Sequence, residues 1–149
     1  MISDTLSNEC GPSRYNIPAP VIRNVLVSDL AGNRHPEPWE GLIDTGADRS
    51  IIPITICQEL HLAPRDFRCP RGFDPDASTR VLPRYYVRVN VANLGEFTLL
   101  VYGVRRSNVL LGRDFLSELV LLLDSSKDHY TLGRHTFCSN LIVAILRLA

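Results

Sequence analysis

The residues best placed for chemistry lie in Gly41-Leu42-Ile43-Asp44-Thr45-Gly46-Ala47-Asp48, where an apolar strand pattern carries a carboxylate straight into a Thr-Gly turn. An acidic side chain at the end of a buried strand is costly unless it is paired or hydrogen-bonded, so Asp44 calls for an explanation. Thr45 brings a hydroxyl able to hydrogen-bond neighbouring backbone. Gly46 permits either a positive φ or the close backbone approach of a sharp turn. A carboxylate held in this way is a candidate general acid or base.

A second stretch, Asn108-Val109-Leu110-Leu111-Gly112-Arg113-Asp114-Phe115-Leu116, sets an apolar run and a glycine directly before a short helical pattern. Asp-Thr-Gly-Ala-Asp followed later by Leu-Leu-Gly-Arg-Asp resembles the retropepsin family, the single-domain aspartic proteases of retroviruses, retroelements and some bacteria. Two ordered motifs are far more specific than either alone. The resemblance covers about Pro18 to Leu132 and implies that Leu110, Leu111 and Gly112 lie beside the Asp44 turn and brace it, while Arg113 and Asp114 open a helix.

The chemistry that the resemblance implies needs two carboxylates sharing one proton. One takes a proton from water while the other donates to the peptide carbonyl; like charges a few ångströms apart cannot both ionise, so both roles are filled at once. Only one Asp-Thr-Gly occurs here. Asp114, Asp124 and Asp128 lack a following Thr/Ser-Gly, and Asp74 and Asp76 sit in a Pro-containing loop. The expectation is a symmetric homodimer in which Asp44 of each subunit meets at the axis and hydrolyses a peptide or protein substrate without a cofactor or metal. By the same resemblance Thr45 bonds across to the partner's turn, the alternative being a hydroxyl that serves its own loop. Asp48 and Arg113 are expected to form an ion pair that lysine could not reproduce. Ala47 supplies no hydroxyl to favour the ionised carboxylates, which implies an activity optimum of roughly pH 4.5 to 6.5.

The family covers its cleft with a hairpin flap, usually glycine-rich at the tip. The corresponding interval here holds Gly72, Phe73, Asp74, Pro75 and Asp76, with one glycine and a proline that removes a backbone donor. Asp74 and Asp76 would bring negative charge near the cleft and favour basic substrates, or form a solvated acidic turn. The glycine-poor flap keeps a second reading open: a catalytically weak domain retained for dimerisation or peptide binding.

Bulk numbers agree with one ordinary globular domain. The 149 residues are 45% hydrophobic and 21% charged, and 16 basic residues balance 16 acidic ones, so no overall field argues for nucleic acid or an anionic membrane. Cys10, Cys57, Cys69 and Cys138 form no C-x-x-C pair, and without a secretory signal they read as free thiols of a cytoplasmic protein. Cys57, His61 and Cys69 could in principle ligate zinc, but no fourth ligand stands at recognisable spacing. His35, His129 and His135 stand alone, and Arg105 and Arg106 read as a solvated basic face.

The elements that must position the site are many short strands and one or two short helices, an all-β barrel active as a symmetric dimer. Strands are expected over 18–27, 39–45 and 50–53, with a helix from Pro53 to about His61. Alternation in 85–92 and 97–101, joined by Asn93-Leu94-Gly95, predicts a hairpin. Val109–Leu111 reads as a buried strand, Arg113–Leu119 as a short helix, and 121–132 as a last hairpin. Residues 1–16 read as a loose arm, 17–133 as the protease-like domain, and 134–149 as an apolar segment too short to span a bilayer. That last segment would either join a dimer seam or pack on its own domain.

Overall fold

The computed structural model describes residues 5–11, 19–70 and 80–134. In chain order the elements are β1 (Thr5–Glu9), β2 (Val21–Ser28), β3 (Trp39–Ile43), β4 (Ile51–Pro53), α1 (Ile54–Glu59), β5 (Asp66–Arg68), β6 (Leu82–Val91), β7 (Gly95–Val104), β8 (Val109–Leu111), α2 (Arg113–Leu116), β9 (Leu119–Asp124) and β10 (His129–Arg134).

The alternating segments form the longest pairing. β6 and β7 run antiparallel from Arg84 opposite Tyr102 to Val91 opposite Gly95. Val87, Val89 and Val91 on one strand and Phe97, Leu99 and Val101 on the other point into the core, because successive side chains of a strand face opposite sides. Asn93 and Gly95 take positive φ in the turn between them, 69° and 92°, as a tight reversal demands.

Strands β2, β3, β8, β4, β7 and β6 pair in that order, and β2 pairs again with β6. The sheet therefore closes on itself, with β5 added to the outside of β6. Closure removes the edges that an open sheet would leave exposed. A bulge in β2 between Ile22 and Val25, with Asn24 at a φ of 60°, lets this strand bend from one neighbour to the other. Inside lies one apolar cluster that includes Ile22, Val25, Val27, Ile52, Ile56, Leu111 and Phe115, all fully buried.

A smaller antiparallel sheet, β1-β10-β9, packs beside the barrel. The buried Tyr130 hydroxyl of β10 donates to the Val21 carbonyl at 2.7 Å and ties the two sheets together. Within the 1–16 segment, Thr5–Glu9 supplies β1, an element not expected there, and pairs with β10 along its whole length. A mostly polar segment gains order from backbone bonds offered by an available edge, and its Leu6 packs against the core. The short strand β5 was likewise not expected. α2 stops at Leu116, and β9 starts at Leu119, earlier than the expected hairpin. The apolar 135–149 segment lies outside the described residues.

His35 is not isolated. It is 2% exposed; Nε2 bonds Glu59 Oε2 on α1 at 2.6 Å, while Nδ1 accepts from the Glu37 N–H at 3.1 Å and the Trp39 indole at 3.3 Å. It pins α1 to the start of β3 and is a structural residue.

Candidate active site

Parallel pairing of β3 with β8 sets Gly41 beside Val109, Leu42 beside Leu110 and Ile43 beside Leu111. The ladder runs one step further, with the Asp44 N–H donating to the Leu111 carbonyl at 2.9 Å. The two motifs, far apart in the chain, are thus laid side by side, and the carboxylate leaves the barrel where the strands end.

The turn then closes on the acid. The Gly46 N–H donates to Asp44 Oδ1 at 2.9 Å, and the Ala47 N–H to the Asp44 carbonyl at 3.3 Å. Asp44 is half-buried, while Thr45 and Gly46 are exposed at the tip. Among the described residues neither Asp44 Oδ2 nor the Thr45 hydroxyl has a hydrogen-bond partner. Gly46 does not use a left-handed backbone, since the described glycines with positive φ are Gly32 and Gly95. Its requirement is space: a Cβ there would stand 3.2 Å from Asp44 Oδ1.

A second bracket holds the far side of the turn, and sequence reasoning missed it. Ser50 is fully buried. Its hydroxyl donates to Asp114 Oδ1 at 2.7 Å and accepts the Gly112 N–H at 3.0 Å. The Ser50 N–H donates to both Asp114 oxygens, at 2.9 and 3.0 Å, and the Phe115 N–H adds a bond of 2.9 Å to Oδ1. Asp114 is therefore an internal clamp on β4, Gly112 and α2, with its charge balanced by backbone and hydroxyl donors. The only hint in the sequence was an acid placed just after the Gly-Arg of the second motif.

Arg113 acts at two levels. Its N–H donates to the Ala47 carbonyl at 2.8 Å, and its guanidinium meets the Asp48 carboxylate, the pairing expected from the motifs. Both side chains are largely exposed, 65% and 74%, so within one chain the pair adds little stability. Leu111 is fully buried beneath the turn. The flap residues Gly72, Phe73, Asp74, Pro75 and Asp76 lie outside the described residues. Cys57 is buried and His61 exposed, and among the described residues no group of three His, Cys, Asp or Glu could hold a metal.

One further cation stands near the acid. Arg106, expected on a solvated face, is half-buried. Burial pushes its guanidinium below the usual arginine value, and the negative charge of Asp44 pulls it back up. Asn108, two residues on, holds it with one side-chain oxygen.

No protein-family model matches the sequence, and a comparison with curated proteins finds no match. Solved structures do match. A retropepsin-like aspartic protease from Rickettsia conorii aligns with a TM-score of 0.58 at 16% identity, covering 87% of this chain and 92% of that one. The EIAV protease in complex with the inhibitor HBY-793 aligns over 66% of this chain and 86% of its own, at 22% identity and a TM-score of 0.39. The retroviral protease-like domain of Ddi1 from Leishmania major covers 69% of this chain and 81% of its own, at 15% identity and a TM-score of 0.41. At such identities likeness speaks for architecture alone, and the Rickettsia structure carries it. With its closed all-β barrel, its two short helices and the Asp-Thr-Gly turn laid against Leu-Leu-Gly, this chain has the retropepsin-like fold.

Proposed function

We propose that this protein is an aspartic endopeptidase that works as a symmetric homodimer, with Asp44 of each subunit supplying half of the catalytic pair. The observation that carries the reading is the state of the turn. One Asp44 oxygen is held by the Gly46 N–H, while the other oxygen and the exposed Thr45 hydroxyl have no partner among the described residues. A half-buried carboxylate with a free oxygen beside a free hydroxyl is a site awaiting a complementary surface, and a second copy of the same turn is complementary to it.

In this reading one Asp44 is protonated and the other ionised. The ionised carboxylate takes a proton from a water as its oxygen attacks the substrate carbonyl carbon. The protonated partner gives its proton to the carbonyl oxygen, forming a neutral gem-diol. The acid that took the water proton then gives it to the amide nitrogen while a gem-diol hydroxyl gives its proton to the other carboxylate, and cleavage of the C–N bond leaves the pair singly protonated again. Gly46 orients one oxygen of each acid, Thr45 links the two turns, and Ala47 leaves the carboxylates without a hydroxyl donor, in keeping with an optimum of roughly pH 4.5 to 6.5. Leu111, Gly112 and the Asp48–Arg113 pair hold the turn in place. The reaction uses no cofactor. The partners are a second copy and a peptide or protein substrate, not nucleic acid, and among the described residues no helix is long and apolar enough to cross a membrane. We place the protein in the cytoplasm.

The second reading, a dimerisation or peptide-binding module with little turnover, is favoured by the single glycine and the proline of residues 71–79. Digestion of a peptide library separates the two. The protease reading expects cleavage that is lost in Asp44→Asn and blocked by a statine-type mimic of the gem-diol. Peptide binding without cleavage supports the module, and a strictly monomeric protein in sedimentation removes the shared-carboxylate mechanism.

A further inference from the structure

A cleft of about 460 Å³ opens on the barrel where the start of α1, the start of β6 and the end of β7 meet. The strand pairings build it. Parallel pairing of β4 with β7 sets Pro53 beside Val104, so α1, which begins at Ile54, starts next to the end of β7. Antiparallel pairing of β6 with β7 sets Arg84 opposite Tyr102, which brings Leu82 and Pro83 to the same end. Ile54, Leu82, Pro83 and Val104 give the cleft apolar walls, and Arg80 and Arg105 line it from exposed positions. Among the described residues no acidic side chain lines it. The apolar surface continues past the cleft. Phe67 lies opposite Pro83 in the β5–β6 register, so the two side chains share one face of the pair. Phe67 is 58% exposed, and Val81, between Arg80 and Leu82 in the chain, is 59% exposed. They are the two most exposed large hydrophobic side chains among the described residues.

Shape and charge together select the occupant. Contiguous exposed apolar surface marks a place where another molecule binds. A small molecule in this open cleft would keep one side in water and leave Phe67 uncovered. An extended peptide, at about 3.3 Å per residue, covers both. Its apolar side chains enter between Ile54 and Val104, and its carboxylates meet Arg80 and Arg105, whose charges repel a basic segment. We infer that this cleft binds an extended peptide segment in which glutamate or aspartate adjoins leucine or phenylalanine. Asp44 and its turn are not among the lining residues, so the inference stands independently of the protease reading.

The test screens a hexapeptide array built from Glu, Gln, Lys, Leu and Phe with the full chain carrying Asp44→Asn, so that bound peptides stay whole. Fluorescence anisotropy then gives Kd for the best binders. The inference expects those binders to pair Glu with Leu or Phe. Two exposed ion pairs, each worth a few-fold, predict that the Gln twin of the best binder has a Kd about 5–10-fold higher, with the Lys twin weaker still. Arg80→Gln combined with Arg105→Gln should erase the difference between the Glu and Gln twins, and Arg80→Glu with Arg105→Glu should turn the preference to Lys. Val104→Trp, which fills the cleft, should raise Kd for every binder by about 10-fold or more. Phe67→Ser, at an exposed position that leaves the core intact, should weaken binding several-fold, and thermal unfolding checks that each variant is folded. An array without Glu enrichment overturns the inference, as does a Glu–Gln difference that survives the double Arg80 and Arg105 change. Binding unaltered by both Val104→Trp and Phe67→Ser places the peptide elsewhere and overturns it too. Cleavage by the wild type, or its absence, bears on the protease reading alone.

Discussion

Gly112→Ala is the smallest change that should prise the two motifs apart. A Cβ at this position would stand 2.7 Å from the Ala47 carbonyl oxygen, and 2.9 and 3.0 Å from the carbonyl carbon and oxygen of Arg49. The backbone at Gly112, with φ −91° and ψ −167°, is one that alanine adopts freely, so the obstacle is contact and not conformation. All three obstructing atoms belong to the main chain, and no rotamer change relieves them. The seam must open by roughly half an ångström or more to restore ordinary contact distances. Across that seam run the bonds from Asp44 N–H to Leu111, from Arg113 N–H to Ala47 and from Gly112 N–H to Ser50. Overpacking of this kind costs about 1–3 kcal/mol. Loss of one of those bonds adds about 1 kcal/mol. A total of about 2–4 kcal/mol, divided by a urea slope of about 1–3 kcal/mol per molar, lowers the unfolding midpoint by on the order of 1–2 M. Trp39, the single tryptophan, lies on β3 and gives a local fluorescence signal for the titration. In the protease reading, peptide cleavage by the folded variant should fall about 100-fold, because Asp44 is displaced from the geometry that reading requires. A midpoint equal to that of the wild type would show that the seam yields freely and that Gly112 is not the spacer argued here.

Further outcomes follow from the same geometry. Ser50→Ala strands the buried Gly112 N–H and removes a donor from Asp114, so urea unfolding should report a loss of about 2–3 kcal/mol; a loss below about 0.5 kcal/mol would remove Ser50 from the bracket. Arg113→Lys should change the stability of the single chain by less than about 1 kcal/mol, because the pair with Asp48 is exposed. In the dimer reading it should weaken association and turnover, and wild-type-like sedimentation and rates would refute that role. Burial pushes the Cys57 thiol up to about 12 from 9.0. Below the unfolded value both states hold the proton. Between the two values only the unfolded chain releases it, so stability falls as pH rises, by up to about 1.4 kcal/mol per pH unit. The stability gap between wild type and Cys57→Ala should therefore narrow from about pH 8.5 to about pH 11, and a constant gap would contradict the burial argument.

Much of this fold was legible because its signals are local. Alternation in Tyr85–Val91 and Phe97–Val101 follows from the two-residue period of a strand, and Asn93 and Gly95 mark the reversal by backbone preference alone. The Asp44 turn and the Leu111-Gly112 run were recognisable as motifs, and their pairing followed from a resemblance that the fold supports. The expectation of an ion pair between Asp48 and Arg113 also matches a contact in the structure. Less visible was β1, a mostly polar segment held by backbone bonds to β10 and by Leu6 packed against the core.

Residue types and their order singled out Asp44 as the candidate acid, and the strand that delivers it and the later Leu-Leu-Gly that lies beside it were both legible there. Tertiary closure decided everything that depends on which distant residues meet. Ser50 and Asp114 are 64 residues apart and become one clamp only when β4 pairs with β8. His35 looks like any surface histidine until α1 brings Glu59 to its ring. Arg106 reads as one of many basic residues until the barrel half-buries it against Asn108. Periodicity and turn chemistry act over a few residues of chain, whereas burial, pairing and charge proximity are set by the space the closed sheet encloses.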